Sequence, residues 1–355
     1  MKDTNGELYI NILREVKMKR NQSIDLLKLI SVFLVVVGHN QFSKHFGFIM
    51  DASSRFTVPI FFMITGYFVI KSVNISTTLK YQMIKLAKYY ITYELVYLAY
   101  EFAIALSEMS FSGFNDNLLM NIKHILIAPT IGVHLWYIIN IIWVMIIVYI
   151  FNKFNKLNIL FIASSILYLI GIIISNLSQQ IFQQALPLYA TRNFLFFGLF
   201  YFMLGMYISK INIDNIKFNN KFILFISVTF CLAQVMEKYL WKVLLGSNFG
   251  EYFLTTLFAS IGIFIYTLRT NINNKYIEKI TSYSMPIYFL HPLMIKVLKL
   301  LCSDVFKFNI TAITNTIIGN LIFILLVCVF SCLLYYSFKK VKLITTREFI
   351  YYRKF

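Results

Sequence analysis

Residues 28–42, KLISVFLVVVGHNQF, form an almost unbroken apolar run with a cation at one end and a histidine near the other. Extended to residues 24–43, the run reaches the ~20 mostly apolar residues a helix needs to cross a bilayer's hydrocarbon core. An isolated apolar segment in lipid must satisfy its own backbone hydrogen bonds, which a helix does and a lone strand does not.

Working outward, nine further stretches have the same character, near residues 53–72, 89–107, 134–151, 157–177, 191–209, 221–241, 252–268, 283–300 and 314–338. None shows the short alternating pattern of a barrel strand. With 59% hydrophobic and 14% charged residues and a mean hydropathy of +0.71, the chain lies far outside a soluble profile. The expected fold is an all-α polytopic membrane protein, a bundle of about ten transmembrane helices.

If the ten spans alternate sides with the N-terminus inside, 23 of the 33 Lys and Arg fall on inner segments. The positive-inside rule then makes both termini cytoplasmic. The same bias, with anionic lipid headgroups, accounts for the net charge of +18, so no nucleic-acid partner is expected. Lys28 interrupts the first apolar run and a polar segment of some twenty residues precedes it, so the first span reads as a retained anchor. Cys231, Cys302, Cys328 and Cys332 lie in or beside spans without paired metal spacing, and read as free thiols with no metal site. The long outer segment 108–133, around NIKHILIAPTIG, reads as a short helix at or dipping into the surface.

Ionisable residues inside a bilayer are costly and tend to mark a pathway, a pair or a reactive site. Lys28 and His39 are eleven residues apart, three helical turns, so they share a face with roughly 16 Å of rise between them. In the plainer reading Lys28 pairs with Asp25 and His39 sits in the wet interface. Arg55 opens the second span in SRFTVPIFFMITGYF, at a level where an arginine asks for an anionic or polar partner. His134 in HLWYI, Arg192 before NFLFFGLFYFMLG and His291 in SYSMPIYFLHPL belong to the outward halves of other spans. Histidine suits proton transfer near neutral pH. Glu94 and Glu101, seven residues apart on the third span, are candidates to orient such a histidine, or simply to pack, with Glu101 nearer the outer level. Lys85 and Lys88 in LKYQMIKLAKYY could hold a phosphate-bearing ligand from the inner side, or serve as an ordinary basic flank.

Taken in order and spacing, SIDLLKLISVFLVVVGH, RFTVPIFFMITGYF, HLWYI, FFGLFYFMLGMYI and YSMPIYFLHPL resemble the acyltransferase-3 family of bacterial integral-membrane acyltransferases, from about residue 20 to about residue 340. The resemblance implies a cytoplasmic N-terminal segment at 1–20, a membrane acyltransferase domain at 21–340 and a basic cytoplasmic tail at 341–355. It also implies transfer of an acyl group, usually acetyl, from acyl-CoA to a hydroxyl of a cell-surface or lipid-linked glycan, at the bacterial cytoplasmic membrane. Acyl-CoA is then a co-substrate and no tightly bound cofactor is expected; the partners are the lipid bilayer, the donor and the glycan.

The family's first-helix arginine, ten residues and histidine become Lys28 and His39 here, and its paired arginines before the third span become Lys85 and Lys88. Lysine keeps the charge but loses the planar fork of arginine. Arg55 matches the family's arginine before the second helix. On this reading His39 is the general base, Arg55 polarises the thioester carbonyl or holds the acceptor, and Glu101 orients the base. Lys28, Lys85 and Lys88 bind the donor, and His134, Arg192 and His291 are further members of the site. Two other readings remain: a transporter or flippase of a glycan or lipid-linked intermediate, and an inactive sensor or scaffold of the same fold.

Overall fold

A computed structural model describes residues 21–246 and 252–340. Every regular element among the described residues is helical. The expected N-terminal segment 1–20 and tail 341–355 lie outside the described residues, and with them the expected cytoplasmic termini.

The longer helices in chain order are α1 (Gln22–His39), α2 (Lys44–Ser53), α3 (Thr57–Ile70), α4 (Ile75–Ser107), α5 (Ser112–His124), α6 (Trp136–Lys153), α7 (Leu157–Phe182), α8 (Leu199–Ile208), α9 (Asn220–Leu245), α10 (Leu254–Arg269), α11 (Ser284–Leu300) and α12 (Ile317–Lys340). Asparagine starts several of them, its side chain accepting from the orphan amides of the first turn: Asn21 before α1, Asn74 before α4 and Asn219 before α9.

Among the described residues, seven helical segments are long and apolar enough to cross a membrane. The expectation from the sequence is about ten, and three of the expected stretches fall short of that length and apolarity for physical reasons. Phe194–Ile208 and Leu254–Arg269 are apolar but shorter. α4 is long, at 33 residues, but carries Lys80, Lys85, Lys88, Glu94 and Glu101 along its length. The chain is a multi-pass helical membrane protein.

α3 packs against α8, α4 against α6, α9 against α10 and α2, and α11 against α12 and α1. The α3–α8 contact depends on two glycines: a methyl group added at Gly66 would fall on the Phe202 carbonyl oxygen, and one at Gly205 on that of Met63. Lipid is as apolar as a leucine surface, so close backbone approach through small residues supplies much of the helix–helix attraction here.

The segment expected at or dipping into the surface forms a hairpin. α5 runs one way and residues 125–132 return to α6, with the carbonyls of Ile125, Leu126 and Ile127 accepting from the Tyr90 hydroxyl, the Trp143 indole (2.7 Å) and the Asn140 amide (2.9 Å). Trp143 lies seven residues, about 10 Å of rise, inside the start of α6. Irregular backbone at such depth persists where its polar groups are satisfied by protein. Asn121 pins the turn, accepting from the amides of Thr130 (2.7 Å) and Ile131 (3.1 Å) and donating to Glu94 (2.7 Å).

Candidate active site

The site is organised by Pro292 inside α11. A proline has no N–H to return to the carbonyl four residues earlier, so the Tyr288 carbonyl loses its helical partner. The His291 ring fills that vacancy, its Nδ1 lying 2.9 Å from the Tyr288 oxygen and 3.0 Å from that of Ile287. One residue on, the Leu293 amide donates to the Tyr97 hydroxyl (3.2 Å), and the Phe289 carbonyl accepts from that hydroxyl (3.0 Å) and from His134 Nε2 (3.2 Å).

These contacts fix two tautomers. A carbonyl only accepts, so His291 carries its proton on Nδ1 and His134 on Nε2, and the opposite nitrogens present lone pairs. His134 Nδ1 and His291 Nε2 are buried and have no hydrogen-bond partner among the described residues. The ring of His291 lies 5.3 Å from that of His134 and 5.0 Å from that of His39. Three helices therefore deliver three imidazoles to one place: His39 from the last turn of α1, His134 from the turn before α6, and His291 from α11.

His39 is the exposed member and faces a cavity of about 300 Å³ that Arg55, His134 and Arg192 also line. The Arg192 guanidinium lies over the Trp136 ring at 4.8 Å, a cation–π contact that fixes its plane. On the far wall Tyr168 and Tyr201 join hydroxyls at 2.8 Å, and Tyr252 donates to the Thr191 carbonyl (2.8 Å). The cavity thus combines imidazole, guanidinium, phenol and indole surfaces, a lining suited to a polar, hydroxyl-bearing ligand.

Asp51, which the sequence reading did not single out, also lines this cavity. Arg55 Nη2 donates to both of its carboxylate oxygens (2.8 and 2.7 Å), and Lys238 of α9 binds the same carboxylate. Its i,i+4 spacing to Arg55 was a visible signal, since a partner for that arginine was expected.

Other candidates lie elsewhere. Glu101 pairs with Lys296 (2.5 Å) and is not among the residues that line the cavity, so it does not orient His39 in this arrangement. Glu94 anchors the 125–132 turn through Asn121. Lys28 pairs with Asp25 at 3.2 Å, as in the plainer reading of that residue. Lys85 is buried, and it starts a stripe at four-residue intervals along α4 with Tyr89, Tyr93 and Tyr97, all buried. Tyr93 stacks on Phe289 with centroids 4.1 Å apart, and the Tyr97 ring lies 5.1 Å from His134. The stripe covers about 18 Å of rise from the lysine to the histidines. Lys88, one turn on, is exposed. Among the described residues no group of three His, Cys, Asp or Glu is arranged to hold a metal ion.

A family model described as an acyltransferase domain, that of the acyltransferase-3 family, matches residues 21–336 of the chain. No curated protein and no solved structure matches it.

Proposed function

The chain belongs to the acyltransferase-3 family, and from that premise we propose that it moves an acyl group from cytoplasmic acyl-CoA to a hydroxyl of a cell-surface or lipid-linked glycan, with acetyl the expected group. The observation that carries this reading is the exposed imidazole of His39 in a cavity shared with Arg55 and Arg192 and backed by two further histidines.

A thioester is already activated, so the protein has to deprotonate the acceptor hydroxyl, stabilise the oxyanion and exclude water. His39 takes the hydroxyl proton. Arg55, held by Asp51, faces the cavity where the thioester carbonyl would develop negative charge. The alkoxide adds to the carbonyl carbon, the C–S bond breaks and the thiolate leaves with a proton. Arg192 and the tyrosine wall receive the acceptor. The donor enters from the opposite end, its phosphates near Lys85 and Lys88 and its arm beside the Tyr89–Tyr93–Tyr97 stripe. That end is the cytoplasmic one on this reading, and the membrane is the bacterial cytoplasmic membrane. Lys28 contributes charge there through its pair with Asp25, without the fork an arginine would offer.

The reading is tested by following label from radiolabelled acetyl-CoA into envelope glycan, in membranes carrying wild-type protein or His39→Ala at matched levels. Acetyl-CoA-dependent label that disappears with the substitution supports it. Label unaffected by His39→Ala overturns the assigned base.

A further inference from the structure

We propose that His291 is the proton-relay partner of His39, a positioning residue that accepts the second proton of the base during acyl transfer; the inference rests on the function proposed above. The geometry has three parts. His291 is fully buried, its Nδ1 is committed to the Ile287 and Tyr288 carbonyls, and its Nε2 has no hydrogen-bond partner among the described residues. A lone pair left bare in a buried place is a position where a donor belongs.

Two imidazoles face it, His39 at 5.0 Å and His134 at 5.3 Å between centroids, with Tyr288 further off at 6.4 Å. His134 has given its N–H to the Phe289 carbonyl and offers only a lone pair, so it cannot supply the proton. The His39 ring is bonded to no carbonyl among the described residues. Ring nitrogens sit about 1.1 Å from the centroid, so a 5.0 Å centroid separation allows facing nitrogens to approach to about 2.8 Å, and a turn of the exposed His39 ring would close a hydrogen bond to the bare His291 Nε2.

The acceptor O–H breaks and its proton goes to one nitrogen of His39, while the N–H on the other nitrogen passes to His291 Nε2. The alkoxide bonds to the thioester carbonyl carbon and the C–S bond breaks. The protons then return along the same two rings to the thiolate sulfur, leaving an ester and a free thiol. The imidazolium that His291 forms donates through Nδ1 to two carbonyls, which offsets part of the cost of charging a buried ring. It also stands behind His39 and outside the cavity lining, further from where Arg55 and Arg192 line the wall.

The test compares wild type, His39→Ala, His291→Asn and His291→Gln for the rate of label transfer at saturating acetyl-CoA and for the half-saturating donor concentration. Asn keeps a donor for the carbonyls; Gln keeps an acceptor toward His39; neither takes a proton. Both are expected to lower the maximal rate about 10²-fold, the low end for an acid–base partner, with half-saturation moved less than about twofold. Wild-type rate in the Gln variant, or in both, overturns the relay. Absence of transfer by wild type instead removes the function on which it rests. Nitrogen-15 spectra of the full chain in lipid nanodiscs give a readout independent of turnover: His291 is expected as the Nδ1–H tautomer, with an Nε2 resonance that shifts in His39→Ala. An unshifted resonance overturns the contact.

Discussion

Replacing Pro292 by Ala should make the protein more stable and less active at once. Alanine restores an N–H four residues after Tyr288, and the helix can close the hydrogen bond that proline forbids. Proline in a helix interior is about 3 kcal/mol less favourable than alanine, and neighbours adapted to the kink reduce the gain to about 1–2 kcal/mol. The restored amide competes with His291 Nδ1 for the Tyr288 carbonyl, leaving the ring the Ile287 contact alone. A hydrogen bond contributes roughly 1–1.5 kcal/mol more when its donor is charged than when it is neutral. Losing one partner as the imidazolium forms therefore slows transfer about tenfold. Thermal unfolding of the purified full chain in detergent, followed by tryptophan fluorescence, reads the first effect, and label transfer from acetyl-CoA reads the second. A lower unfolding temperature, or an unchanged transfer rate, would refute the idea that the proline exists to free these carbonyls.

Three other outcomes follow from the packing and the ion pairs. Gly66→Ala and Gly205→Ala each drive a methyl group into a facing carbonyl and should lower stability by about 3 kcal/mol, toward the upper end for overpacking, read as loss of monodisperse protein on extraction. Asp51→Ala leaves Arg55 and Lys238 without their shared carboxylate in a site where all three side chains are 12–16% exposed, and should cost about 3 kcal/mol, with Lys238→Met in the same chain recovering part of the unfolding temperature. Glu94→Ala strands the Asn121 amide and should accelerate amide exchange at Thr130 and Ile131, at a cost of about 1–3 kcal/mol, whereas Glu94→Gln keeps the acceptor and should preserve protection.

The apolar runs identify a multi-pass helical protein because hydropathy and length are local properties of a sequence. Convergence is not local. His39, His134 and His291 could each be placed near the same end of a span, but the rotation of three helices decides whether they meet. The HP pair at 291–292 held a clue, since a proline frees the carbonyl that the adjacent histidine then occupies. Glu101 was the natural carboxylate by level, yet Lys296 on α11 takes it. Asp51 escaped notice because α2 reads as a connecting segment, and its partner Lys238 is far away in the chain. The return of residues 125–132 past Trp143 was equally hidden, because its carbonyls are satisfied by side chains of α4 and α6 rather than by its own sequence.

The central claim is that His39 removes the proton of an acceptor hydroxyl in acyl transfer from a CoA thioester. Its most direct test is label transfer from radiolabelled acetyl-CoA to envelope glycan by the full chain in membranes, wild type against His39→Ala, with both proteins quantified in the same membranes. The account predicts acetyl-CoA-dependent incorporation that falls at least 10²-fold in the variant. Incorporation at the wild-type rate in His39→Ala would contradict it.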